Sequence, residues 1–201
     1  MAIAPGGRSL VGRHVRLDPA TPEDAPGLFA ALDDERVWAA GYAGGPSARP
    51  TSPAGWEAVV AKAAADERAM FTVRLIDDGR IVGTSSLGDV ELGHDRVHLG
   101  WTAYAPVCWG TAVNPECKLL LLGYAFDDCG FGRVKIQTDL INLRSQAAIA
   151  KLGATREGVL RRHMRRPDGS YRDTVVFAVL VDDWPAVRTG LEARLQAPAG
   201  R

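Results

Sequence analysis

The chain passes from a predicted strand into a predicted helix through the loop Ala105-Pro-Val-Cys-Trp-Gly-Thr-Ala-Val-Asn-Pro-Glu116. The first amide groups of a helix have no partners inside it, and the helix dipole places about half a positive charge there. Such a junction can hold phosphate oxygens by backbone alone. Gly110 and Ala112 would let the backbone approach a ligand closely. A simple tight turn into a buried helix fits the same residues, and this alternative stays open.

The loop does not match the common nucleotide-binding motifs. No GKS or GKT follows it, which excludes a Walker motif, and GxGxxG is absent, which argues against a dinucleotide fingerprint. The loop sequence therefore argues against both a nucleoside triphosphate and a nicotinamide cofactor at this position.

Strand and helix patterns alternate on both sides of this loop. Strands are predicted at 14–17, 71–75, 81–87, 96–104, 133–139, 157–166 and 170–181. Helices are predicted after Thr21, at 52–66, from Asn114 to Gly130, at 142–152 and from Asp182, and residues 44–53 form a predicted mobile loop. This order predicts an α/β (α+β) fold with a mixed sheet and helices against its faces.

Composition predicts one cytoplasmic domain. The 201 residues suit a single domain over 1–201, and Lys plus Arg equals Asp plus Glu at 24 each, so nucleic acid is an unfavoured partner. No apolar run approaches 18 residues, which predicts no membrane segment. The three cysteines form neither an even framework nor a CxxC pair, which predicts no disulfide, no metal site and a reducing compartment. The three cysteines are Cys108, Cys117 and Cys129.

Several separate segments carry a family resemblance in a consistent order. They are LVGRHVRLDPATPEDAPGLFAAL at 10–32, LGWTAYAPVCWGTAVNPE at 99–116, Asn142-Leu-Arg-Ser145 with Lys151-Leu-Gly153-Ala154, and Asp183-Trp184-Pro185. From Leu10 to about Val187 the chain resembles the GCN5-related N-acetyltransferase (GNAT) superfamily, closest to its ribosomal-protein-alanine N-acetyltransferase-like branch. The resemblance implies a central sheet of about seven strands with a V-shaped opening between the family's fourth and fifth strands.

The sequence departs from the family pattern at two positions. The superfamily loop is usually Gln/Arg-x-x-Gly-x-Gly/Ala, and its first position is Val107 here. His98 stands where close relatives often place Glu, which leaves the identity of the catalytic base open.

The resemblance implies that acetyl-CoA is the co-substrate. Its pantetheine arm would pair with the backbone of Trp101, Thr102, Ala103 and Tyr104, and its pyrophosphate would lie on the amides of Cys108, Trp109, Gly110, Thr111, Ala112, Val113 and Asn114. Asn142 and Ser145 would contact the arm from the next helix. Sheet pairing, loop closure and helix capping are the corresponding structural alternatives.

The reaction that the family resemblance implies is direct attack of an uncharged amine on the thioester. An alkyl ammonium has a pKa of about 10.4, so a base is worth roughly 10² to 10⁴ in rate. His98 and His163 are the predicted bases, with Asp173 and Glu157 as weaker choices. Ser145 would protonate the thiolate, with Tyr104 as the second candidate. The structural alternatives are a solvent-facing strand residue for His98, an exposed basic hairpin for His163 and a local helix cap for Ser145.

The acceptor amine is not identified by the sequence. A protein N-terminus or a small-molecule or antibiotic amine would fit, and Trp38, Tyr42, Trp56 and the loop at 44–53 would line its entrance by resemblance. Arginines on the last hairpin could hold an acidic substrate, the CoA 3′-phosphate or tRNA, or could simply be solvated: Arg161, Arg162, Arg165, Arg166 and Arg172. Another acyl-CoA or aminoacyl-tRNA as donor, a non-catalytic CoA-binding module and a homodimer remain alternatives.

Overall fold

The computed structural model describes residues 1–39 and 41–196, in which eight strands form one mixed sheet and six α-helices pack against it. The strands are β1 (Leu10–Val11), β2 (Val15–Pro19), β3 (Ala69–Leu75), β4 (Ile81–Glu91), β5 (Arg96–Tyr104), β6 (Arg133–Asp139), β7 (Thr155–Arg165) and β8 (Tyr171–Leu180). The helices are α1 (Ala25–Leu32), α2 (Glu35–Trp38), α3 (Pro53–Ala65), α4 (Val113–Gly123), α5 (Leu143–Leu152) and α6 (Trp184–Gln196).

The strands lie in the order β1-β2-β3-β4-β5-β6-β8-β7. All neighbours are antiparallel except β5 and β6, which run parallel and are joined through α4. The predicted mixed sheet is therefore confirmed. The two-residue β1 adds an eighth strand, so the family's fourth and fifth strands are β5 and β6 in this chain.

Two hydrophobic cores cover the two faces of the sheet. On the α4 face, Val97 and Leu99 pack with side chains of α4 and α6, such as Leu121. On the α1 face, side chains of α1 and α3 such as Trp56 pack with Ala103. Because side chains alternate along a strand, these cores fix the face to which each residue of β5 and β6 points.

A buried carboxylate holds the start of α4 against the sheet. Glu116 is 4% exposed and accepts hydrogen bonds from the backbone amides of Arg13, His14 and Val15 at 2.8, 2.6 and 2.7 Å. Gly12 leaves room for this carboxylate, since a Cβ there would lie 2.5 Å from the carboxyl carbon. Glu116 therefore fixes the position of the loop that precedes it.

One helix was missed, and three local predictions need correction. The short helix α2 was not predicted, and the predicted loop at 44–53 overlaps two 3₁₀ turns, Tyr42–Gly44 and Pro46–Ala48. Asn114 lies inside α4, and the N-cap position is Ala112. The predicted helix up to Gly130 ends as an α-helix at Gly123 and continues as a π-helical turn, Tyr124–Asp128. Among the described residues no helix is long and apolar enough to cross a membrane.

Candidate active site

A cleft opens where β5 and β6 part. The two strands pair only at Arg96–Arg133, Val97–Val134 and His98–Lys135. From Leu99 onward the edge of β5 that faces β6 has no strand partner in the described part of the chain, and a cavity of about 630 Å³ occupies the gap. Ligand sites in proteins usually measure roughly 300–1,000 Å³. Side chains from both faces of the sheet line this cavity, so the cleft passes between the two strands.

A bulge in β5 shapes the wall of the cleft. Thr84 pairs with Ala103 and Ser86 with Gly100, so β5 contains one more residue than β4 between these pairs. Trp101 has a φ of 49°, which a bulky residue rarely adopts. Such outliers concentrate at functional sites. The predicted arm-binding segment, Trp101 to Tyr104, lines the cleft throughout.

The loop before α4 presents fewer free amides than the sequence predicted. The amides of Cys108 and Trp109 donate inside a 3₁₀ turn to Ala105 O and Pro106 O, at 2.9 and 3.1 Å. The amide of Thr111 donates to Cys108 O at 3.4 Å and that of Val113 to Thr111 Oγ1 at 3.3 Å. Of the predicted amides from Cys108 to Asn114, those of Gly110, Ala112 and Asn114 have no acceptor in the described part of the chain.

Those three amides are available to an anion. Gly110 has a φ of 78°, which glycine adopts without strain, and both Gly110 and Asn114 line the cleft. The amides lie at the N-terminus of α4, where the helix dipole favours negative charge. The chemistry of this donor set therefore fits a pyrophosphate.

The start of α5 forms the opposite wall. The side-chain oxygen of Asn142 accepts from the Ser145 amide at 2.9 Å, so Asn142 and not Ser145 caps the helix. The Ser145 hydroxyl lines the cleft with no hydrogen bond among the described residues. The Arg144 guanidinium lies 3.5 Å from the ring centroid of Trp109, whose Nε1 donates to Tyr104 O at 3.0 Å. This stack joins the loop to α5.

His98 is buried against a carboxylate. It is 3% exposed, so the alternative of a solvent-facing residue is wrong. Its Nδ1 lies 3.0 Å from Asp89 Oδ2, to which Lys135 Nζ also donates at 3.1 Å. An ionised carboxylate only accepts, so Nδ1 carries the hydrogen and Nε2 keeps a lone pair. Nε2 is buried and has no hydrogen-bond partner among the described residues.

Electrostatics keep this imidazole neutral. Burial lowers the pKa of His98 below the ordinary histidine value, and the hydrogen bond to Asp89 works against that shift. The hydrogen bond from His98, with help from Lys135, holds the pKa of Asp89 far below its usual range. At neutral pH the pair is therefore a neutral imidazole beside a carboxylate, which is the arrangement that a general base needs.

The other predicted bases have different surroundings. His163 is exposed, lines the cleft and places Nδ1 3.1 Å from Thr174 Oγ1. Asp173 accepts a hydrogen bond from the Arg162 amide at 2.7 Å. Glu157 pairs with Arg133. Neither carboxylate lines the cleft, so His163 is the predicted alternative to His98 that the structure keeps there.

Sequence reasoning missed a buried lysine on the α4 face. Lys118 is 8% exposed, lines the cleft and donates to Thr102 Oγ1 at 2.9 Å. No carboxylate in the described ranges forms an ion pair with it, and burial lowers its pKa to about 8. The predicted acid Tyr104 lies on the same face, and its buried hydroxyl has no hydrogen-bond partner in residues 1–39 and 41–196. Burial raises the pKa of Tyr104 well above its ordinary value.

The spacing of Lys118 carried a signal. It lies four residues after Asn114, and residues four apart share one face of a helix. The side chain of Lys118 should therefore face the same ligand as the loop amides. The run of leucines that follows it had suggested only a buried apolar helix.

The predicted arginine cluster divides into separate environments. Arg166 donates to the buried Asp139 at 2.5 Å, and Arg172 Nε lies 3.9 Å from the same carboxylate. Arg162 and Arg165 stack on Tyr171, at 4.0 and 4.9 Å from its ring centroid. The remaining arginine of the predicted cluster, at position 161, is exposed outside the cleft.

The predicted acceptor entrance is correct only in part. Tyr42 lines the cleft, and its hydroxyl donates to Trp101 O at 3.3 Å. Trp38 and Trp56 instead belong to the α1-face core, at 2% and 1% exposure. Of the loop at 44–53, Gly44 reaches the cleft.

Comparison with known proteins agrees with this architecture. Residues 14–155 match the family described as Acetyltransferase (GNAT) domain. A T. thermophilus protein assigned as an acetyltransferase is 36% identical, with a TM-score of 0.84 over 94% of this chain and 97% of its own. A GCN5-related N-acetyltransferase from Brucella melitensis is 28% identical, with a TM-score of 0.87 over 98% of this chain and 89% of its own. No curated protein matches the sequence.

A more distant structure shares the fold. Mycobacterium smegmatis RimJ, solved in complex with CoA-disulfide, is 20% identical, with a TM-score of 0.76 over 94% of this chain and 95% of its own. The family match spans well over half of the chain, and the 36% identical relative aligns along nearly all of it. This chain therefore belongs to the GNAT acetyltransferase family and is an acyltransferase.

Proposed function

We propose that this protein transfers an acetyl group from acetyl-CoA directly to a primary amine within a ternary complex. The observation that carries the proposal is the position of two unlike sites at one cleft. Unpaired amides lie at its α4 face, and the imidazole of His98 lies on its α1 face. The first fits the donor, and the second fits the amine.

The chain's own residues would hold the donor, and acetyl-CoA supplies the activated acetyl group when it is bound. The open edge of β5 from Trp101 to Tyr104 would pair with the pantetheine arm as an added strand. The amides of Gly110, Ala112 and Asn114 would bind the pyrophosphate. Backbone donors do this work, so Val107 at the first position of the family loop does not prevent binding.

His98 would remove the proton from the acceptor ammonium. It alternates with Val97 and Leu99, whose side chains pack on the α4 face, so the imidazole points to the α1 face. Asp89 fixes the tautomer that leaves Nε2 basic. We therefore expect the amine to enter from the α1 face. His163 remains the second candidate for this role.

The departing thiolate would form on the other face. Ser145 and Tyr104 line the cleft there, and the hydroxyl group of either residue could donate the proton. Lys118 adds a buried positive charge, which would stabilise the thiolate or the oxyanion of the thioester. The base and the acid would lie on opposite faces of the sheet, so the two proton transfers would take place at separate positions. The amine would attack the thioester directly, and no covalent enzyme intermediate would form.

The test is a transfer assay that follows thiol release and the mass of the acetylated amine. A panel of primary amines would be incubated with acetyl-CoA and wild-type protein, His98→Gln or the control His94→Gln, which changes an exposed histidine outside the cleft. We expect His98→Gln to lower kcat/KM by roughly 10² to 10⁴ and His94→Gln to leave it unchanged. No transfer to any amine by wild-type protein would contradict the function. Full activity in His98→Gln would move the base to His163.

A further inference from the structure

The α1-face part of the cleft carries an excess of positive charge. Its lining contains three basic side chains, Lys135, Arg166 and Arg172, against two carboxylates, Asp89 and Asp139. Asp89 is already shared by His98 and Lys135. Asp139 is shared by two arginines. The protein alone therefore leaves this end of the cleft without enough negative charge.

Arg172 is the basic group with the least complete pairing. Its side chain is 13% exposed, its Nε is buried, and that atom has no hydrogen-bond partner within the described residues. Its nearest carboxylate, that of Asp139, is 3.9 Å away and accepts the shorter bond from Arg166. A buried donor without a partner is costly, which favours a ligand that completes it. The planar guanidinium fits carboxylate and phosphate oxygens.

The arginine and the base lie on one face of the sheet. His98 pairs with Lys135. Asp139 follows four residues later on the same side of β6, so its backbone lies roughly 13 Å from that of Lys135 at about 3.3 Å per residue. Thr174 pairs with Asp139, and Arg172 lies two residues before Thr174, so its side chain points to the same face. An acceptor that spans this distance would have its amine at one end and an anion at the other.

We propose that the acceptor is a small amine that also carries a carboxylate or a phosphate, whose oxygens bind to Arg172 while the amine lies at His98. This inference rests on the proposed acetyl transfer and adds the chemical class of the acceptor. A diamine would bring a second positive charge to a region that already has an excess of it. An amine without an anionic group would leave Arg172 Nε unpaired.

The experiment compares amines that differ only in the anion. Triglycine and triglycinamide test a carboxylate, aminohexyl phosphate and aminohexanol test a phosphate on a chain of similar reach, and cadaverine supplies a second cation. Each would be assayed for kcat/KM with saturating acetyl-CoA and titrated calorimetrically into the protein loaded with CoA. We expect at least one anionic amine to exceed its neutral counterpart about tenfold or more, because a hydrogen bond to a charged group contributes that much.

Variants assign the preference to one side chain. Arg172→Gln should lower kcat/KM for the anionic amine to the level of its neutral counterpart, and Arg172→Lys should restore part of the difference. Arg161→Gln removes a charge from the same hairpin outside the cleft and should keep the full preference. Asp139 keeps Arg166 as its partner in these variants, so the fold is expected to persist.

Three results would overturn the inference: equal affinity and turnover for anionic and neutral amines, a preference that survives in Arg172→Gln, or an equal loss in Arg161→Gln. Failure of the acetyl-transfer proposal has a different signature, which is the absence of acetyl-CoA binding. If CoA binds but no amine reacts, the calorimetric comparison still decides between anionic and neutral amines.

Discussion

His98 Nδ1 lies 3.0 Å from Asp89 Oδ2, and this contact determines which imidazole nitrogen can act as a base. Asp89 also accepts from Lys135 Nζ at 3.1 Å, so the carboxylate is held from two sides. Nε2 lies against the backbone at Gly100, where a Cβ would come within 2.5 Å of it. Gly100 therefore leaves the space that the ring needs. The imidazole of His98 is positioned both by Asp89 and by the backbone at Gly100.

The pH dependence of Asp89→Asn tests this dyad. His98 acts in its neutral form, so activity should fall as the pH drops through its pKa, which burial lowers below the ordinary value of about 6.5. Asp89 raises that pKa, and its loss should therefore move the acid limb of kcat/KM to still lower pH. We expect the plateau rate to fall about tenfold, because a weaker base remains. An acid limb that stays in place or moves to higher pH would exclude His98 as the titrating group.

Lys118→Met should raise the stability of the protein and lower its catalytic rate. A pKa of about 8 in the fold, against about 10.4 in an unfolded chain, means that the buried ammonium costs up to about 3 kcal/mol at pH 7. Methionine removes that cost, so the free energy of unfolding at pH 7 should rise. The gain should shrink as the pH rises from 8 toward 10.4, where the lysine becomes neutral in both states.

Urea unfolding at pH 7 and pH 10, together with steady-state kinetics, measures both effects of that substitution. We expect kcat to fall about tenfold or more, because a charge that faces the thiolate is lost. The matched control Lys62→Met changes an exposed lysine of α3 and should alter stability by only about 0.5 kcal/mol. A Lys118→Met protein that is less stable at pH 7, or fully active, would contradict the assignment of Lys118 to an anionic ligand.

Ser145→Ala should lower kcat with little change in acetyl-CoA affinity. The cap of α5 uses the Ser145 amide and the Asn142 side chain, so the substitution leaves that cap intact. Tyr104→Phe tests the second hydroxyl in the same way. Single-turnover rates, measured where chemistry limits the reaction, decide between the two. An unchanged rate in Ser145→Ala would remove Ser145 from the mechanism.

The fold was predictable because its signals are local. The loop from Ala105 to Glu116, the alternation of 133–139 and Gly153 after α5 each depend on neighbours in sequence. The position of His98 on the face opposite Val97 and Leu99 followed from the same alternation. The structure confirms the predicted mixed sheet, five of the six described α-helices and the opening between β5 and β6.

The partners inside the cleft were not predictable in the same way. Asp89 reaches His98 because β4 has a register irregularity between Gly88 and Glu91, with Asp89 at a φ of 47°. No residue pattern in the sequence predicts that bulge. The contacts of Asp139 with two arginines join strands that the chain connects only through α5 and a hairpin. Such contacts depend on how strands pair, which spacing along the chain does not determine.

The most direct test of the account is a calorimetric titration of wild-type protein and Gly110→Val with acetyl-CoA. Gly110 has a φ of 78°, which a β-branched residue adopts poorly, while no atom within 4 Å would oppose its Cβ. The substitution should therefore distort the amides around the loop and leave the core in place. We expect micromolar binding to wild-type protein, at least tenfold weaker binding to Gly110→Val, and an unchanged unfolding transition for the rest of the fold. Absence of binding to wild-type protein, or equal affinity in Gly110→Val, would contradict the claim that this cleft and its loop hold acetyl-CoA.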